Sequence, residues 1–544
     1  MMLSVFSGCS NKNGNDTIAS EETTPEATTP EITTPGATTP NQPDDPDNSD
    51  LAAWMTHSME KLTPTSGIPS KAKRDTKLTI YMGKGESESA SLAIYSAIRR
   101  GGCSIKVIGA PDDIEVTVYK QHFQVCGKKE YADGLSYVTD TMLLKKDSIS
   151  GFFITVTTTK DTAPGDKKMI IELSDNEGKT LATYELTAHV WNITYDDKHT
   201  YDTATDLEED IISKYHNAKW NSTDPEEIAK FEEFYVAYYE MLLDYRMCAY
   251  NLPYDILDER ADKYMSDPRV TTFQIPTNVD DDTLVAYYNK VKSNPDWLEK
   301  AYAYPKDEPT DKEMYDDVIS VATRIKKLCP ELKIVVPFFK NFPYDSNRDA
   351  IDIQSEYLDI LCVKSKCFHE REFALKVPEK QAQGDLVWAY VCWEPGYPYT
   401  NLYVNEKGLN HRIQFWQQYN INADGFLYWS SNYWGGISNP WTTMATVPNL
   451  DPNVYGDGSL LYSGIGKDEN GEAVIVLPSV RLDIVRDGIE DAELLKMAEK
   501  VLGREAVLEL VKPVAKDMVN YTSSVSTLQN QRIAIAEALM AASK

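Results

Sequence analysis

Short segments of alternating apolar and polar residues dominate the chain between residues 77 and 191. The clearest are residues 78–82, 114–119, 152–157 and 183–190, which are separated by turns rich in glycine, aspartate and proline. A period of two is the pattern of a strand with one buried face, and many such strands in succession are typical of a β-sandwich. We therefore predict an N-terminal antiparallel β-sandwich over residues 70–195.

From residue 196 onward, continuous apolar runs alternate with amphipathic helical segments. Eight of these runs are expected to be strands: residues 201–207, 246–252, 270–275, 300–304, 333–338, 358–363, 385–393 and 425–430. Strands buried on both faces have this composition, and eight strand–helix units form a closed parallel barrel. We predict a (β/α)8 barrel of the TIM type over residues 196–505. An open, doubly wound sheet is the alternative, although the glycine-rich turn of its dinucleotide-binding form is missing.

Helix start signals support this alternation of strands and helices. Asp224 and Pro225 offer an N-cap and a first-turn proline, and Thr310 with Glu313 has the spacing of a capping box. After the last helix that would close the barrel, residues 506–544 are expected to form a helical tail that packs on the surface.

The N-terminal region differs from the rest of the chain. It repeats Thr-Thr-Pro at residues 23–25, 28–30, 33–35 and 38–40. A segment with so few apolar side chains cannot offset its chain entropy, so we expect residues 10–65 to be a disordered Thr/Pro-rich linker. Before it, small residues precede Cys9 as they do in a bacterial lipoprotein signal. We expect residues 1–9 to be a truncated signal of this kind, with lipidation at Cys9 and an extracellular, lipid-anchored protein on the bacterial cell surface.

Charge and cysteine usage narrow the possible functions. The 544-residue chain has a formal net charge of −29 and no basic stripe, so it repels nucleic acid and anionic lipid. Its apolar runs are far shorter than the ~20 residues of a membrane span, so membrane contact is expected only through the anchor. The eight cysteines include no Cys-x-x-Cys pair, and we expect no metal or cofactor. The sequence does not indicate an oligomeric state.

Two adjacent carboxylates, Asp307 and Glu308, follow the fourth predicted strand of the barrel. In parallel barrels the reacting groups stand at the carboxyl ends of the strands. Neighbouring carboxylates repel each other, so the pKa of at least one should rise unless both are separately hydrogen-bonded. A raised pKa is what a general acid at neutral pH requires. The alternative is that both acids only stabilise the N-terminus of the next helix.

Aromatic residues cluster at the ends of the fourth, seventh and eighth predicted strands. The candidates for substrate binding are Tyr304, Trp393, Glu394, Tyr428, Trp429 and Trp434. The apolar C–H face of a sugar ring packs on aromatic planes while its hydroxyls take polar partners, so this combination suits a glycan. The alternative is that these aromatic residues belong to the core.

Three segments resemble glycoside hydrolase family 123 and the related uncharacterised-domain family 4091. They are the Asp307-Glu308 pair, residues 456–462 and, as the most specific part, residues 479–495. The resemblance covers residues 70–505. It implies a β-sandwich followed by a (β/α)8 barrel, and an exo-acting enzyme of the β-N-acetylgalactosaminidase type without metal or cofactor.

The resemblance also implies a substrate-assisted, retaining mechanism. Glu308 would be the acid/base, and Asp307 would orient the 2-acetamido group, whose carbonyl oxygen attacks the anomeric carbon to give an oxazolinium-like intermediate. One alternative is a retaining glycosidase with Glu308 as acid/base and Glu394 as nucleophile, although such enzymes usually carry asparagine where this chain has Asp307. The other is a surface-tethered glycan-binding protein without activity. The preference for N-acetylgalactosamine over N-acetylglucosamine, the aglycone and the role of the sandwich are not decided by the sequence.

Overall fold

The described part of the chain comprises residues 50–65, 67–69, 74–138, 141–434, 439–441, 444, 454–468 and 470–543 of a computed structural model. Cys9 and the Thr-Thr-Pro repeats lie outside these residues.

The N-terminal part of the described chain is a two-layer β-structure. Its strands are β1 (Leu51–His57), β2 (Lys77–Lys84), β3 (Ser87–Ser96), β4 (Arg100–Ile108), β5 (Ile114–Cys126), β6 (Lys129–Tyr137), β7 (Met142–Leu144), β8 (Ser148–Thr158), β9 (Gly165–Ser174) and β10 (Thr180–Thr194). In the described residues they form two five-stranded sheets, ordered β1-β3-β8-β5-β6 and β2-β10-β9-β4-β7. Apolar side chains of both sheets share one buried cluster, which includes Leu92, Ile154, Ile171 and Leu186. The structure is therefore a sandwich.

Two details of this region differ from the sequence prediction. Strands β2 and β10 pair in parallel, so the sandwich is mixed rather than purely antiparallel. Residues Leu51–His57, which we predicted as part of the disordered linker, form strand β1 and pair with β3. Trp54 and Met55 are buried there, and this burial supplies the apolar surface that orders the segment.

The rest of the described chain, after β10, contains a parallel sheet with helices around it. Its strands are β11 (Asp202–Thr205), β12 (Phe273–Gln274), β13 (Ala301–Ala303), β14 (Lys333–Phe338), β15 (Ile360–Lys364), β16 (Leu386–Val391) and β17 (Gly425–Tyr428). They run in the order β11-β17-β16-β15-β14-β13-β12, and every neighbouring pair is parallel. Each lies within a segment predicted as a strand or departs from it by one residue at one end. The small strands β18 (Tyr462–Ser463) and β19 (Val476–Leu477) pair separately.

The remaining predicted strand, residues 246–252, lies between β11 and β12. Ala249 makes a single parallel bridge to Thr205, and the backbone N–H of Gln274 donates to the carbonyl of Tyr250 at 2.7 Å. This segment therefore bonds to both edge strands of the sheet, although its pairing is too short to form a regular strand.

Helices connect and cover these strands. They are α1 (Glu209–His216), α2 (Pro225–Asp244), α3 (Ala261–Met265), α4 (Asp281–Lys292), α5 (Pro295–Lys300), α6 (Lys312–Leu328), α7 (Ala350–Tyr357), α8 (Arg371–Gln383), α9 (Gly408–Asn420), α10 (Val480–Leu502), α11 (Arg504–Val511) and α12 (Val525–Ala542). Helix α2 begins as predicted, because the Asp224 side chain accepts from the N–H of Glu226. Helix α6 begins one residue later than predicted, since Asp311 rather than Thr310 caps it. No helix in the described ranges combines the length and apolarity of a membrane span.

The C-terminal helices are more deeply buried than predicted. Helix α12 packs on α10 and on β10 of the sandwich. Its Arg532 is fully buried and forms ion pairs with Glu86 of the sandwich and, at 2.6 Å, with Asp491 of α10. The tail therefore joins the sandwich to helix α10 instead of only covering a surface. A buried guanidinium needs carboxylate partners, and those of Arg532 come from both parts of the structure.

Candidate active site

Asp307 and Glu308 stand where the chain leaves β13, at the carboxyl end of the parallel sheet. Glu308 has a φ of +39°, in the left-handed region that non-glycine residues rarely adopt. Its backbone N–H donates to the carbonyl of Pro337 in β14 at 3.1 Å. Held in this way, Glu308 occupies a strained backbone position, and strain of this kind is concentrated at functional sites.

The two carboxylates have different partners. Oε1 of Glu308 accepts a hydrogen bond from the Tyr390 hydroxyl at 2.5 Å and lies 2.9 Å from Nζ of Lys364. Oδ1 of Asp307 accepts from the Tyr304 hydroxyl at 2.8 Å. Among the described residues, no hydrogen bond reaches Oε2 of Glu308. One oxygen of Glu308 is therefore fixed by the protein, and the other remains available to a substrate.

The surroundings of Asp307 also change its pKa. Burial of the carboxyl group raises the pKa of Asp307, and the negative charge of Glu308 adds to this effect against the opposing influence of Tyr304 and Lys364. The pKa of Asp307 therefore rises, as predicted for at least one acid of the pair. The residue nevertheless has an exposed side, so a ligand can reach it.

Lys364 was not recognised from the sequence. Its side chain is 1% exposed, and its ammonium lies 4.3 Å from the ring centroid of Phe339 and 5.5 Å from that of Trp393. Burial opposes its charge, but the neighbouring Cys392 thiol and Glu308 raise the pKa of Lys364. The available signal was a single lysine that ends the otherwise apolar strand β15.

Three of the predicted aromatic residues lie at the mouth of the sheet. Tyr304, Trp393 and Trp429 are half-buried and pack on the fully buried cluster inside the sheet that contains Tyr302 and Trp388. Each therefore rests on a rigid base and keeps part of its surface exposed, as a sugar platform requires.

Two other predicted platform residues belong to the core. Tyr428 is 0% exposed and Trp434 is 2% exposed, so neither offers a ring face to a ligand. The indole N–H of Trp434 donates to the carbonyl of Leu461 at 3.0 Å. The predicted contact of these two rings with sugar is therefore wrong in this structure. The sequence pattern indicates their positions along the chain but not the direction of their side chains.

Asp457 binds two aromatic side chains that follow one another at the end of β17. It was not singled out as a site residue from the sequence. It accepts hydrogen bonds from the Tyr428 hydroxyl at 3.1 Å and the Trp429 indole at 2.9 Å. Burial raises the pKa of Asp457 to about 7. Gly458, with a φ of +71°, lies against the Trp429 ring, where a side chain would collide with the indole. Residues 456–462 therefore hold Trp429 in place.

Glu394 lies on the loop that follows β16. Its Oε2 is 2.5 Å from Nζ of Lys366, and its side chain is 37% exposed. The loop is held by the amide of Asn401, which donates to the carbonyls of Cys392 at 2.8 Å and Pro395 at 2.9 Å. Glu394 is thus near the mouth but already paired with a cation.

Away from the mouth of the sheet, the described residues form a large cavity but no cluster of metal ligands. No group of three or more metal-ligating side chains occurs in the described part of the chain. A cavity of about 620 Å³ lies between the end of β1 and the start of α12, where it is lined by Lys61, Glu406 and Ser524.

Comparison with known proteins agrees with this geometry. The family model of the glycoside hydrolase 123 catalytic domain matches residues 282–498, a range that includes Asp307 and Glu308. No curated protein matches the sequence. A solved family 123 glycoside hydrolase from Clostridium perfringens is 12% identical, with a TM-score of 0.62 over 91% of this chain and 98% of that chain.

A putative beta-galactosidase from Bacteroides fragilis is also 12% identical, over 64% of this chain and 53% of that chain. Its TM-score of 0.25 is too low to indicate a shared fold. The resemblance to family 123 is confirmed by the family match and by the shared fold. Residues 282–498 match the catalytic domain of glycoside hydrolase family 123, and this match together with the shared fold identifies the protein as a glycoside hydrolase.

Proposed function

We propose that this enzyme removes terminal β-linked N-acetylhexosamine, with N-acetylgalactosamine favoured, by substrate-assisted and retaining catalysis. The observation that carries the proposal is the pair Asp307 and Glu308 at the carboxyl end of β13, adjacent in sequence but bound to different partners. Two acids with distinct surroundings suit two distinct roles.

We assign to the two acids the roles that the resemblance to family 123 implies. Glu308 gives a proton to the glycosidic oxygen as the bond to the anomeric carbon breaks. Asp307 accepts the N–H of the 2-acetamido group and so polarises its carbonyl oxygen, which attacks the anomeric carbon to form an oxazolinium-like ion. Water then attacks the anomeric carbon as its bond to the acetamido oxygen breaks, Glu308 takes a proton from the water, and the configuration is retained. Lys364, 2.9 Å from Glu308, stabilises the carboxylate left after the first step.

Substrate assistance makes the acetamido group essential. We expect release of nitrophenol from nitrophenyl β-N-acetylgalactosaminide, slower release from the glucosaminide, and almost none from the plain β-galactoside. Hydrolysis of the galactoside at a comparable kcat/KM would contradict the mechanism, because that substrate lacks the internal nucleophile.

Double displacement with Glu394 as the nucleophile is the alternative. Its ion pair with Lys366 argues against it, because a carboxylate held by a lysine is a weaker nucleophile. We expect Asp307→Asn to lower kcat on the 2-acetamido substrate by roughly 100-fold or more, in the range of a lost general-catalytic group. Glu394→Gln should lower it less than tenfold. The reverse order would establish Glu394 as the nucleophile.

The natural glycan is proposed by analogy. The matched Clostridium perfringens protein is described in connection with glycolipid glycan hydrolysis. A terminal β-linked N-acetylgalactosamine on such a glycan would meet the requirements of the site, and hydrolysis of a glycolipid-derived oligosaccharide, followed by chromatography, tests this substrate.

We also infer that the parallel sheet closes as a (β/α)8 barrel through the segment around Tyr250. Its bonds to Thr205 on one side and Gln274 on the other support closure. Slow hydrogen exchange at the amides of Thr205, Tyr250 and Gln274 is expected, and fast exchange at all three would indicate an open sheet.

For the N-terminus, we propose lipidation at Cys9 and display on the bacterial cell surface. The support is the short apolar and small-residue segment before Cys9 and the Thr-Thr-Pro repeats after it. In a bacterial host, an alkyne-labelled fatty acid should be incorporated into the full chain and not into Cys9→Ser. Labelling of both proteins, or of neither, would contradict the proposal.

A further inference from the structure

Asp206 stands at the end of the first strand of the parallel sheet and has no role in the mechanism proposed above. It directly follows β11, and the backbone N–H of Ser431, after β17, donates to its carbonyl at 3.0 Å. Thr205, the last residue of β11, is in register with Tyr428, the last residue of β17. The next residues along the two strands, Asp206 and Trp429, are therefore neighbours at the mouth of the sheet.

The pleat of β11 directs the side chain of Asp206 into the mouth. Alternate side chains of a strand point to the same side of a sheet. Ala204 belongs to the buried cluster inside the sheet that contains Tyr302 and Trp388, so Asp206, two residues later, points to that side as well. Burial raises the pKa of Tyr302 well above its usual value, and the charge of Asp206 adds to this effect, which agrees with the inward direction.

The carboxylate of Asp206 is not engaged by another side chain in the described residues. Its hydrogen-bond partner there is the backbone N–H of the next residue, Leu207. Asp457, the other carboxylate beside Trp429, is already occupied, since it accepts from the Trp429 indole and the Tyr428 hydroxyl. Asp206 is half-buried. Of these two acids, Asp206 is therefore the one whose carboxylate a ligand can reach.

Asp206 and Asp307 approach the mouth from different strands. Asp206 follows β11 and Asp307 follows β13, and the segment around Tyr250 and strand β12 lie between them. The ring of Tyr250 contacts that of Tyr304 with 5.7 Å between centroids, and the Tyr304 hydroxyl donates to Asp307. Burial raises the pKa of Tyr250, and the charges of Asp206 and Asp307 both add to this effect. Both acids therefore lie close to the same aromatic wall.

A sugar in the mouth presents opposite edges to these acids. In the mechanism proposed above, Asp307 binds the 2-acetamido group and Glu308 meets the oxygen on carbon 1. Carbons 4 and 5 of a pyranose ring lie opposite carbons 1 and 2, so the 4-hydroxyl and 6-hydroxyl groups point away from both acids. Trp429 offers an aromatic plane to the C–H face of the ring, and Asp206 beside it offers a carboxylate to the hydroxyls, a combination that suits a sugar.

We propose that Asp206 binds the 4-hydroxyl and 6-hydroxyl groups of the terminal N-acetylhexosamine. The proposal rests on the reaction proposed above, because the role of Asp307 sets the orientation of the ring. The two hydroxyls donate to the carboxylate of Asp206 while the Trp429 indole packs against the C–H face. The 4-hydroxyl is the group whose configuration differs between N-acetylgalactosamine and N-acetylglucosamine, so a residue that binds it contributes to the choice between these sugars.

The test combines a variant of Asp206 with substrates that lack one hydroxyl. The substrates are nitrophenyl β-N-acetylgalactosaminide and its 4-deoxy and 6-deoxy forms. On the full substrate, Asp206→Ala should lower kcat/KM roughly 10- to 100-fold, as for a lost hydrogen bond to a charged group. On at least one deoxy substrate the loss should be several-fold smaller, because a contact of Asp206 is already missing there. An equal loss on all three substrates, or no loss on the full substrate, would overturn the proposal.

Two further variants control for packing and charge. Asp206→Asn keeps the size of the side chain and should show the same pattern with a smaller loss, because an amide accepts a hydroxyl less strongly than a carboxylate does. Asp210→Ala removes an exposed acid four residues away, and its kcat/KM should stay within about twofold of the wild type on every substrate, because solvent and salt screen that charge. The pattern of Asp206→Ala in Asp210→Ala would assign the effect to the charge of the segment and overturn the proposal.

A binding measurement separates this proposal from the catalytic one. N-acetylgalactosamine itself should bind the wild type in calorimetry, with a Kd that rises roughly tenfold in Asp206→Ala. If the wild type hydrolyses none of the substrates but shows this change in Kd, the proposed reaction fails while the role of Asp206 stands. If the full substrate is hydrolysed and neither the Kd nor kcat/KM depends on Asp206, the role of Asp206 is refuted and the reaction stands.

Discussion

Carboxylates cluster in two regions of the molecule, and the two clusters differ in their exposure and in their hydrogen bonds. At the mouth of the sheet, Glu308 is 26% exposed and has one oxygen without a hydrogen bond from the described residues. Between the sandwich and helices α10 and α12, Glu86, Glu88 and Asp491 are no more than 1% exposed. Arg412 and Arg532 pair with them, and we call these five residues the buried ion network.

In the buried ion network, the carboxylates are saturated with donors. Asp491 accepts from Arg412 at 2.7 and 2.9 Å, from the Trp416 indole at 2.8 Å and from Arg532 at 2.6 Å. Glu88 accepts from two nitrogens of Arg412 at 2.9 and 3.0 Å. A carboxylate with every oxygen occupied and no access to solvent has no capacity left for a substrate. The same residue types are therefore closed to ligands in one region and accessible to a ligand in the other.

The largest expected effect is on activity, at the mouth. Glu308→Gln keeps the size of the side chain but removes the exchangeable proton, so kcat/KM should fall by roughly 10²–10⁴, the range for general acid–base catalysis. The melting temperature should fall less than in the buried ion network, because Glu308 is partly exposed, although Lys364 loses a counter-charge. Steady-state kinetics and thermal unfolding on the same preparation check both statements. A loss of stability as large as that of a variant in the buried ion network would contradict the distinction between the two regions.

The next largest effect is on stability, in the buried ion network. Asp491→Asn leaves Arg412 and Arg532 without a shared counter-charge, and breaking a buried pair costs about 3–5 kcal/mol. Denaturant unfolding measures the loss. The control is Glu232→Gln, whose pair with the exposed Arg260 should contribute at most ~1 kcal/mol. Equal losses in both variants would contradict the distinction between buried and surface pairs.

Stability should also depend on pH through this network. Burial raises the pKa of Glu88 from its usual 4.5 to about 8, against the pull of Arg412. The folded chain therefore keeps a proton that the unfolded chain has lost, and this contribution, fully present below pH 4.5, is lost as the pH rises through about 8. The free energy of unfolding should fall between pH 5.5 and 8.5. Glu88→Gln, which mimics the protonated state, should make that slope shallower, and an unchanged slope would assign the dependence to other groups.

The smallest expected effect concerns the support of the mouth. Gly458→Ala would push the Trp429 ring out of position, since the new methyl group collides with it. We expect KM to rise several-fold, as for the loss of about 1 kcal/mol of binding, with a smaller change in kcat. The neighbouring Gly466, which also has a positive φ but no atom near an added Cβ, is the control for backbone strain alone. An equal rise in KM for Gly466→Ala would show that backbone strain, and not displacement of Trp429, causes the effect.

Much of the fold could be predicted because its signals are local. Strand β14 has the bounds that the apolar run 333–338 indicates, and α2 begins at the proline that follows its predicted cap. Strand β1 was missed because it adjoins the polar repeats and is ordered only by pairing with β3. The bridging segment around Tyr250 shows only one bridge, which a pattern of buried residues cannot distinguish from a full strand.

The sequence by itself determined where the proposed catalytic pair lies, because Asp307 and Glu308 are neighbours in the chain and follow a strand whose end must lie at the rim of a parallel sheet. Only the tertiary structure decided their partners, since Lys364 and Tyr390 come from β15 and β16 and reach Glu308 through the sheet. It also decided which aromatic residues face outward, leaving Trp393 and Trp429 at the mouth and Tyr428 in the core. The physical reason is that the position of a residue along a strand is written in the local pattern, whereas the direction and surroundings of its side chain depend on what packs against it.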